Sequence, residues 1–191
     1  CEGNVSVTFS RNLITGNSGA TNGALCIIYN GWFEISDNTV TDNNAGCGVL
    51  VIGSGIVSGN VVERNQSSGY AAGILVGWLE YNQSVTVTNN LVRENAGWGI
   101  GLPLRHEGAH VFVTNNLVTQ NFGGILVDTL GPSATITCNS LVDNNGWGLI
   151  VGWWYPPPVG WQPTEPSEIS NNILWGNDLD LWVYVRDNAF D

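Results

Sequence analysis

The first residues whose types and spacing could do chemistry are His106-Glu107-Gly108-Ala109-His110, which match the H-E-x-x-H pattern of zinc proteases. In that pattern two histidines one helical turn apart bind zinc, and the glutamate acts as the base. The chemistry requires a helix, but Pro103 precedes this segment, a glycine lies inside it, and Val111-Phe112-Val113 follows as an alternating strand. We therefore predict an exposed loop here, with no metal site and no cofactor.

Paired carboxylates, which glycoside hydrolysis needs about 5 to 9.5 Å apart, have no obvious place in this sequence. Asp42, Arg64 and Glu94 occupy one position of successive repeats and alternate in charge, so we interpret them as ion pairs on an outer face. The remaining catalytic candidates are Arg105, His106, Glu107 and Asp128. Because these four residues form no recognisable catalytic set, the sequence favours a non-enzymatic function over catalysis.

Aromatic residues in the predicted loops could bind sugars or protein. The largest insert, at 152–167, is rich in proline and tryptophan. We predict an aromatic surface made of Trp78, Tyr81, Trp153, Trp154 and Trp161. Such rings could stack on a sugar, form the centre of an interface with a neighbouring subunit, or seal the loops against the fold, and the sequence leaves these alternatives open.

Three Asn-x-Ser sequons are candidate glycosylation sites. Asn82 lies in a predicted corner loop and is the strongest of them, while Asn4 and Asn65 are the other two. Asn65 also belongs to the asparagine repeat described next, so its side chain could point inward instead.

The four cysteines have no metal-type spacing. Cys26 and Cys47 fall in adjacent repeats but about three positions out of register, which argues against a disulfide between them. Cys138 occupies a corner position. Cys1 could carry a lipid, pair with another subunit or remain a free thiol.

These residues are positioned by a repeat that occurs seven times. Each unit has asparagine at its first and sixth positions and a branched aliphatic residue at its third, and the units begin 22 to 33 residues apart. An apolar residue precedes each unit by three positions, and a Gly-aliphatic-x-aliphatic run follows most of them. Alternating apolar residues separated by Asn and Gly corners predict three short strands in each unit.

Three strands cannot bury their inner faces alone, so the units are expected to stack as coils. Stacking brings equivalent residues to about 4.8 Å from each other, where side-chain amides can form a continuous hydrogen-bonded ladder. The residue before each first asparagine is usually Gly, Asn or Asp, which suits a corner with positive φ. The predicted ladder consists of Asn12, Asn38, Asn60, Asn90, Asn116, Asn139 and Asn172.

The unit apolar-x-Asn-Asn-x-aliphatic-x-x-Asn-x-Gly-x-Gly-aliphatic resembles the parallel β-helix repeat of the pectin lyase-like superfamily, over about residues 5–185. The resemblance implies an all-β fold: a single-stranded right-handed parallel β-helix, or β-solenoid, of about seven coils of three short strands. Its right-handedness comes from the resemblance alone. We expect one domain over 1–191, interrupted by the insert at 152–167. The superfamily's activities are too varied to assign one, and its Asn-Thr-Asp, Asp-Asp and Gly-His-Gly signatures are not present in this sequence.

The composition of the chain limits the classes of partner that it can bind. With 16 acidic residues against 5 basic ones, the net charge of −11 argues against nucleic acid as a partner. No apolar run is long enough to form a transmembrane segment. The chain has no methionine and begins at Cys1. We interpret this as a mature chain after loss of a signal peptide, and so predict an extracellular or cell-surface location.

Two functions are compatible with these features. The first is an extracellular structural solenoid, the subunit of a filament or surface fibre, whose partner is itself through head-to-tail stacking of coils. The alternative is a carbohydrate-active enzyme or a polysaccharide-binding β-helix of the pectin lyase-like type. A regular core and few catalytic candidates favour the first, and the aromatic loops favour the second.

Overall fold

The computed structural model describes residues 6–19, 22–67, 71–104, 108–129, 133–152 and 167–183. These residues contain strands and turns and no helix, and every strand pair among them is parallel. The strands form three faces, which we call A, B and C. Each asparagine unit contributes one strand to every face, so the units stack as the sequence predicts. The assignment of 1–191 to one domain stays a prediction.

Face A holds the strands that precede each first asparagine. They are β1 (Ser6–Ser10), the second halves of β3 (Gly23–Ser36) and β5 (Cys47–Ser58), β8 (Ser84–Thr88), β11 (His110–Thr114), β14 (Ser133–Thr137) and β17 (Glu168–Ser170).

Face B holds the three-residue strands between the two asparagines of each unit. They are β2 (Leu13–Thr15), β4 (Thr39–Thr41), β6 (Val61–Glu63), β9 (Leu91–Arg93), β12 (Leu117–Thr119), β15 (Ser140–Val142) and β18 (Ile173–Trp175).

Face C holds the strands that follow each second asparagine. They are the first halves of β3 and β5, β7 (Ala71–Val76), β10 (Trp98–Leu104), β13 (Gly123–Thr129), β16 (Trp147–Val151) and β19 (Leu179–Val183). The first coil therefore consists of β1, β2 and the start of β3, and the last described coil consists of β17, β18 and β19.

The corner between faces C and A is continuous in one of the early coils, where β5 runs unbroken from Cys47 to Ser58. Gly53, with φ of 134°, allows the chain to bend there without leaving the sheet. Later coils do leave it, and the insert at 152–167 lies almost wholly outside the described residues.

The core is a set of apolar columns running along the stack. On face B the third residue of each unit points inward, and in the five interior coils this residue is fully buried: Val40, Val62, Val92, Val118 and Leu141. Faces A and C add columns that include Ile35 and Val57, and Ile74 and Ile100. The prediction that the third-position aliphatic residues form the core is confirmed.

Each of the two corners beside face B is formed by a single residue whose backbone is in the left-handed conformation. The residue before each first asparagine has positive φ, as predicted, and ranges from 56° at Asp37 to 66° at Gly59. The residue before each second asparagine does the same, including Arg64 at 51° and Glu94 at 56°. The sequence analysis explained those two positions by charge alone, because Arg and Glu carry no preference for this backbone conformation.

A column of glycines lines the start of face C. Its members are Gly48, Gly73, Gly99, Gly124 and Gly148. A Cβ on Gly73 or Gly124 would lie against the carbonyl oxygen of the glycine in the next coil, and one on Gly148 would lie 2.7 Å from the carbonyl oxygen of Asp180. The backbones of successive coils therefore approach too closely here for a side chain in interior coils.

The two ends of the stack are less buried than its middle. The apolar residues that pack against the core while remaining partly exposed all belong to the end coils: Phe9, Ile14, Ala24, Ile27, Ile169 and Leu174. In β19, Leu181 is 52% exposed although its in-register partner Leu149 is fully buried. The apolar columns thus continue to both ends without a covering layer among the described residues.

Candidate functional site

The most regular polar feature of the structure is the ladder formed by the first asparagine of each unit. Each backbone N–H and each Nδ2 donates to the Oδ1 of the equivalent asparagine in the next coil, from Asn12 through to Asn172, at 2.9–3.0 Å. The predicted ladder is therefore present in full, and we call it the first ladder.

The second asparagine of each unit forms a parallel ladder of its own. Its members are Asn17, Asn43, Asn65, Asn95, Asn121, Asn144 and Asn177, with the same two bonds at 2.9–3.2 Å. The sequence analysis identified the repeated residue but predicted a ladder only at the first corner. The equal spacing of both asparagines in every unit was the signal that could have revealed this second ladder.

Interior members of both ladders have their hydrogen-bonding groups saturated. Asn116 donates Nδ2 to the carbonyl oxygens of Val87 (2.9 Å) and Thr114 (3.1 Å) as well as to Asn139, and its Oδ1 accepts two bonds from Asn90. Asn116 is only 2% exposed. Its hydrogen bonds within the protein therefore replace the hydrogen bonds to water that the amide loses on burial.

Every bond between ladder asparagines runs in one direction, with the donor in the earlier coil and the acceptor in the later one. At the first coil, the Oδ1 atoms of Asn12 and Asn17 therefore accept no bond from a described residue. At the last described coil, Asn172 donates Nδ2 to the Ile136 carbonyl at 2.8 Å, but neither this nitrogen nor its backbone N–H has a further asparagine to donate to. The two ends are thus chemically different: one offers acceptors and the other offers donors.

The second ladder ends differently from the first. Asn177 donates Nδ2 to the carbonyl of Leu141 at 2.8 Å and to the Oδ1 of Asp180 at 3.0 Å. The carboxylate of Asp180 thereby receives a bond that an asparagine of a further coil would receive in the interior of the stack.

An ion-pair cluster lies outside face B. Arg64 contacts Asp42 at 2.9 Å and Glu63 at 2.7 Å, and Arg93 contacts Glu63 at 2.7 Å and Glu94 at 3.8 Å. The predicted pair between Arg64 and Asp42 is confirmed. No Arg64–Glu94 pair is found among the described residues, because Glu63, which the sequence analysis did not single out, bridges the two arginines.

The cluster shifts the ionisation of its carboxylates. Hydrogen bonds from Arg64, and a smaller one from Thr41, hold the pKa of Asp42 below its usual value. For Glu63, which is 7% exposed, burial raises the pKa, but hydrogen bonds from Arg93 and Arg64 outweigh burial and leave the pKa below its usual value. This arrangement favours charged carboxylates and stabilises the surface; it does not create a proton donor for catalysis.

Of the predicted catalytic candidates, only Asp128 lies among the described residues. It is at the end of face C, in register with Pro103. Arg105, His106 and Glu107 lie outside the described residues. His110, the second histidine of the H-E-x-x-H match, begins strand β11 and stacks on Phe112 with ring centroids 4.4 Å apart.

The described part of the chain brings no three metal-ligating side chains together. His110 was predicted to end an exposed loop, but it is the first residue of strand β11. The helical geometry of a zinc protease is therefore not available to it. The loop predicted for 106–110 as a whole lies partly outside the described residues.

The aromatic surface is present in part. Trp78 and Tyr81 are 58% and 72% exposed beside the corner between faces C and A, and a Cβ at Gly108 would lie 2.7 Å from the Tyr81 ring. Trp153, Trp154 and Trp161 lie outside the described residues. A second aromatic row lies along face C, in which Trp147 stacks between Trp98 and Trp182 with centroids 6.1 Å apart on each side.

The stacked row has a geometry that decides what it can bind. The planes of Trp98 and Trp147 differ by 19°, and those of Trp147 and Trp182 by 27°, so the tryptophan faces cover one another. Sugars bind to the open face of an aromatic ring, which this row uses for its own stacking. We therefore assign the row to holding successive coils together, while Trp78 and Tyr81 remain the more open aromatic residues.

The cysteines are free where they are described. Cys26 pairs in register with Leu50, and Cys47 with Gly23, so the two are three positions apart as predicted and form no disulfide. Burial raises the pKa of the Cys47 thiol to about 12, with a smaller contribution from Cys26, which makes Cys47 an unreactive core residue. Cys138 is exposed at a first-ladder corner with φ of 59°, and Cys1 lies outside the described residues.

One of the glycosylation candidates is excluded in the folded protein. Asn65 is fully buried and donates Nδ2 to the Val40 carbonyl and to Asn95, so the predicted glycan there was wrong: no space or free amide is available. Asn82 is exposed in the turn before β8, with φ of 62°, and its glycosylation stays a prediction. Asn4 lies outside the described residues.

Three parallel faces, stacked asparagines and an inward aliphatic residue at each third position define a parallel β-helix. The chain belongs to the family described as the right handed beta helix region, whose model matches residues 1–145. No curated protein and no solved structure shows a significant match. None of the described residues forms a helix of the length and apolarity needed to cross a membrane.

Proposed function

We propose that this β-helix is a structural solenoid, acting outside the cell or on its surface, that extends when the last coil of one copy stacks on the first coil of another. The observation that carries the proposal is the complementary chemistry of the two ends. Among the described residues, no donor reaches the Oδ1 of Asn12, and no next asparagine accepts from the N–H and Nδ2 of Asn172. Joining the two ends in the parallel sense continues the first ladder.

The apolar columns support the same contact. In the joined arrangement Ile169 of one copy would meet Phe9 of the next, and Leu174 would meet Ile14, because these residues occupy equivalent positions of the first and last coils. All four are only partly buried in the single chain. Covering them removes apolar surface from water, which favours association.

The contact is between different surfaces of identical subunits, so it leads to an open filament unless a rotation closes it into a ring. Seven strands at a spacing of about 4.8 Å correspond to an axial repeat of about 34 Å for each subunit. Such a rise can be measured directly on images of the assembled protein.

The proposal is tested with the variant Leu181→Arg and the matched control Leu117→Arg. Leu181 is 52% exposed in the last described coil, and Leu117 is 43% exposed on the outer side of face B, away from both ends. A charge at Leu181 should prevent coil stacking, because it would be buried without a partner in the joined core. The same charge at Leu117 should have no effect on association.

Sedimentation velocity over a range of concentrations measures the outcome, with circular dichroism to show that both variants remain folded. The proposal predicts concentration-dependent association of the wild-type protein and of Leu117→Arg, and monomers for Leu181→Arg. A wild-type protein that stays monomeric at every concentration would refute the proposal.

A second candidate function is polysaccharide binding at Trp78 and Tyr81, favoured by the exposure of both rings beside one corner. Double substitution to alanine should abolish retardation of the protein in gels that contain the bound polysaccharide. The control is Phe122→Ala, which removes an aromatic ring that is 53% exposed but packs edge-on against Trp98. Equal retardation of all three proteins would exclude this site.

A further inference from the structure

The glycine column is interrupted in the last described coil. Face C begins with glycine in each interior coil, but in the last described coil the in-register counterpart of Gly148 is Asp180, between the pairs Trp147–Leu179 and Leu149–Leu181. In interior coils a Cβ at this position would meet the next coil, at its backbone, its ladder amide or its buried valine. Asp180 therefore places a side chain where a further coil would approach.

The same side chain completes the hydrogen bonding of the second ladder. In the interior, Nδ2 of Asn144 donates to the Oδ1 of Asn177 in the next coil at 2.9 Å. Nδ2 of Asn177 donates instead to the Oδ1 of Asp180, three residues later in its own coil, at 3.0 Å. The carboxylate takes the place of the next asparagine.

The first ladder has no such residue in the described part of the chain. Asn172 makes its side-chain bond to the Ile136 carbonyl, and no side chain of the described last coil accepts a second one. Within residues 167–183, the two corners are therefore unequal: a side chain closes the second corner and none closes the first.

We infer that Asp180 is a stop residue, which closes the second ladder and weakens the stacking of another copy on the last described coil. The inference rests on the proposed function for its partner, a second copy of this chain. Docking with both ladders aligned requires the Asp180 carboxylate to leave Asn177, so that Asn177 can donate to the Oδ1 of Asn17 of the incoming copy.

The space beside the backbone at this position does not by itself explain why Asp180 would weaken stacking. Ala24 occupies the equivalent position in the first coil, where it pairs alongside Gly48, so the stack accommodates one methyl group at its end. The difference at Asp180 is a longer, charged side chain held in place by a hydrogen bond, and this bond is what the test must remove.

Three variants distinguish the effect of losing the hydrogen bond from the effect of losing the charge and from the effect of introducing a glycine. Asp180→Gly removes the acceptor and restores the column residue, whereas Asp180→Asn removes the charge but keeps an Oδ1 acceptor. Asp178→Gly is the matched control, because Asp178 is an exposed neighbour in the same turn, and its hydrogen bond to the Gly146 carbonyl comes from the backbone.

The first measurement concerns the single chain: solvent exchange of the Asn177 side-chain amide by NMR at low concentration. Asp180→Gly should speed this exchange about threefold to tenfold, as expected for loss of one hydrogen bond, while Asp180→Asn and Asp178→Gly leave it unchanged. Unchanged exchange in Asp180→Gly overturns the inference, whatever the association state of the wild type.

The second measurement is the association constant from sedimentation. Asp180→Gly should raise the association constant about tenfold, because the blocking side chain is removed and Asn177 can form a ladder bond to the incoming copy. Asp178→Gly should leave the association constant at the wild-type value. Where the wild type associates, equal association of Asp180→Gly and the wild type also overturns the inference. Where the wild type stays monomeric, the proposed function is contradicted, and the exchange measurement alone decides the role of Asp180.

Discussion

At the scale of single residues, the ladder asparagines hold adjacent coils in register by side-chain bonds as well as backbone bonds. Asn116→Ala would remove the acceptor of two bonds from Asn90 and the Nδ2 donor to the Val87 carbonyl. Asn139 Oδ1 would lose one of its two donors and keep only the backbone N–H of residue 116. Each buried group left unsatisfied costs about 1–3 kcal/mol. We expect the free energy of unfolding to fall by at least about 3 kcal/mol, measured by urea denaturation.

The control for this prediction is Asn145→Ala. Asn145 is exposed, and its hydrogen bond to Asn121 comes from the backbone N–H, so the substitution should change stability by less than about 0.5 kcal/mol. Equal effects of the two substitutions would show that the ladder does not stabilise the fold.

The ion-pair cluster makes a second residue-scale prediction, on acid stability. The folded-state pKa values of Asp42 and Glu63 are lowered, so their stabilisation is fully present above the unfolded-state pKa values, near about pH 4, and is lost as the pH falls through the folded-state values. Glu63→Gln should lower the melting temperature at neutral pH and flatten its decrease below about pH 4.

Arg93→Gln provides the check on the cause. It removes the hydrogen bond that lowers the pKa of Glu63, so its effect and that of Glu63→Gln should not add in the double variant. Additive changes in melting temperature would mean that the two residues do not act through their contact.

At the scale of elements, the glycine column permits the close approach of the strands of face C. A Cβ on Gly124 would meet the backbone of Gly148. We expect Gly124→Ala to reduce the free energy of unfolding by about 1–3 kcal/mol, the usual cost of forcing extra volume into a packed interior. Thermal unfolding followed by circular dichroism measures the change.

Gly19→Ala is the comparison that isolates the close approach. A Cβ there meets nothing within 4 Å, and its backbone φ is not in the left-handed region. Its melting temperature should match or slightly exceed that of the wild type. A similar loss of stability in both variants would argue against the column as a packing constraint.

The elements show how much the sequence could predict. Strand order and register follow from the seven units, since aligning Asn90 with Asn116 also aligns Val92 with Val118. The role of Gly124 does not follow, because a glycine after a corner can equally serve the turn, and only coordinates show the neighbouring carbonyl. Glu63 and Asp180 were missed for a similar reason: their partners depend on side-chain direction, which a repeat pattern does not contain.

At the scale of the whole molecule, each coil contacts only its neighbours, so stability should vary along the stack. The interior strands β6, β9 and β12 have both neighbours, whereas β1 and β19 each have one. Hydrogen exchange measured by mass spectrometry on dilute protein should therefore be slowest in the middle coils and fastest at the ends.

Raising the protein concentration extends this prediction to the proposed assembly. Protection of β1 and β19 should increase with concentration if the ends stack, while that of β9 should stay the same. Uniform protection along the dilute chain would contradict independent coils and indicate a fully cooperative unit instead.

The common direction of the ladder bonds has an electrostatic consequence. In an α-helix, aligned peptide dipoles add to leave partial positive charge at the end that presents N–H groups. The side-chain amides of both ladders are aligned in the same way, with nitrogen towards the last described coil and oxygen towards the first. Their dipoles add along the solenoid axis, so the last described coil favours an anion. Asp180 lies at that coil, and its charge has the sign that the summed amides attract.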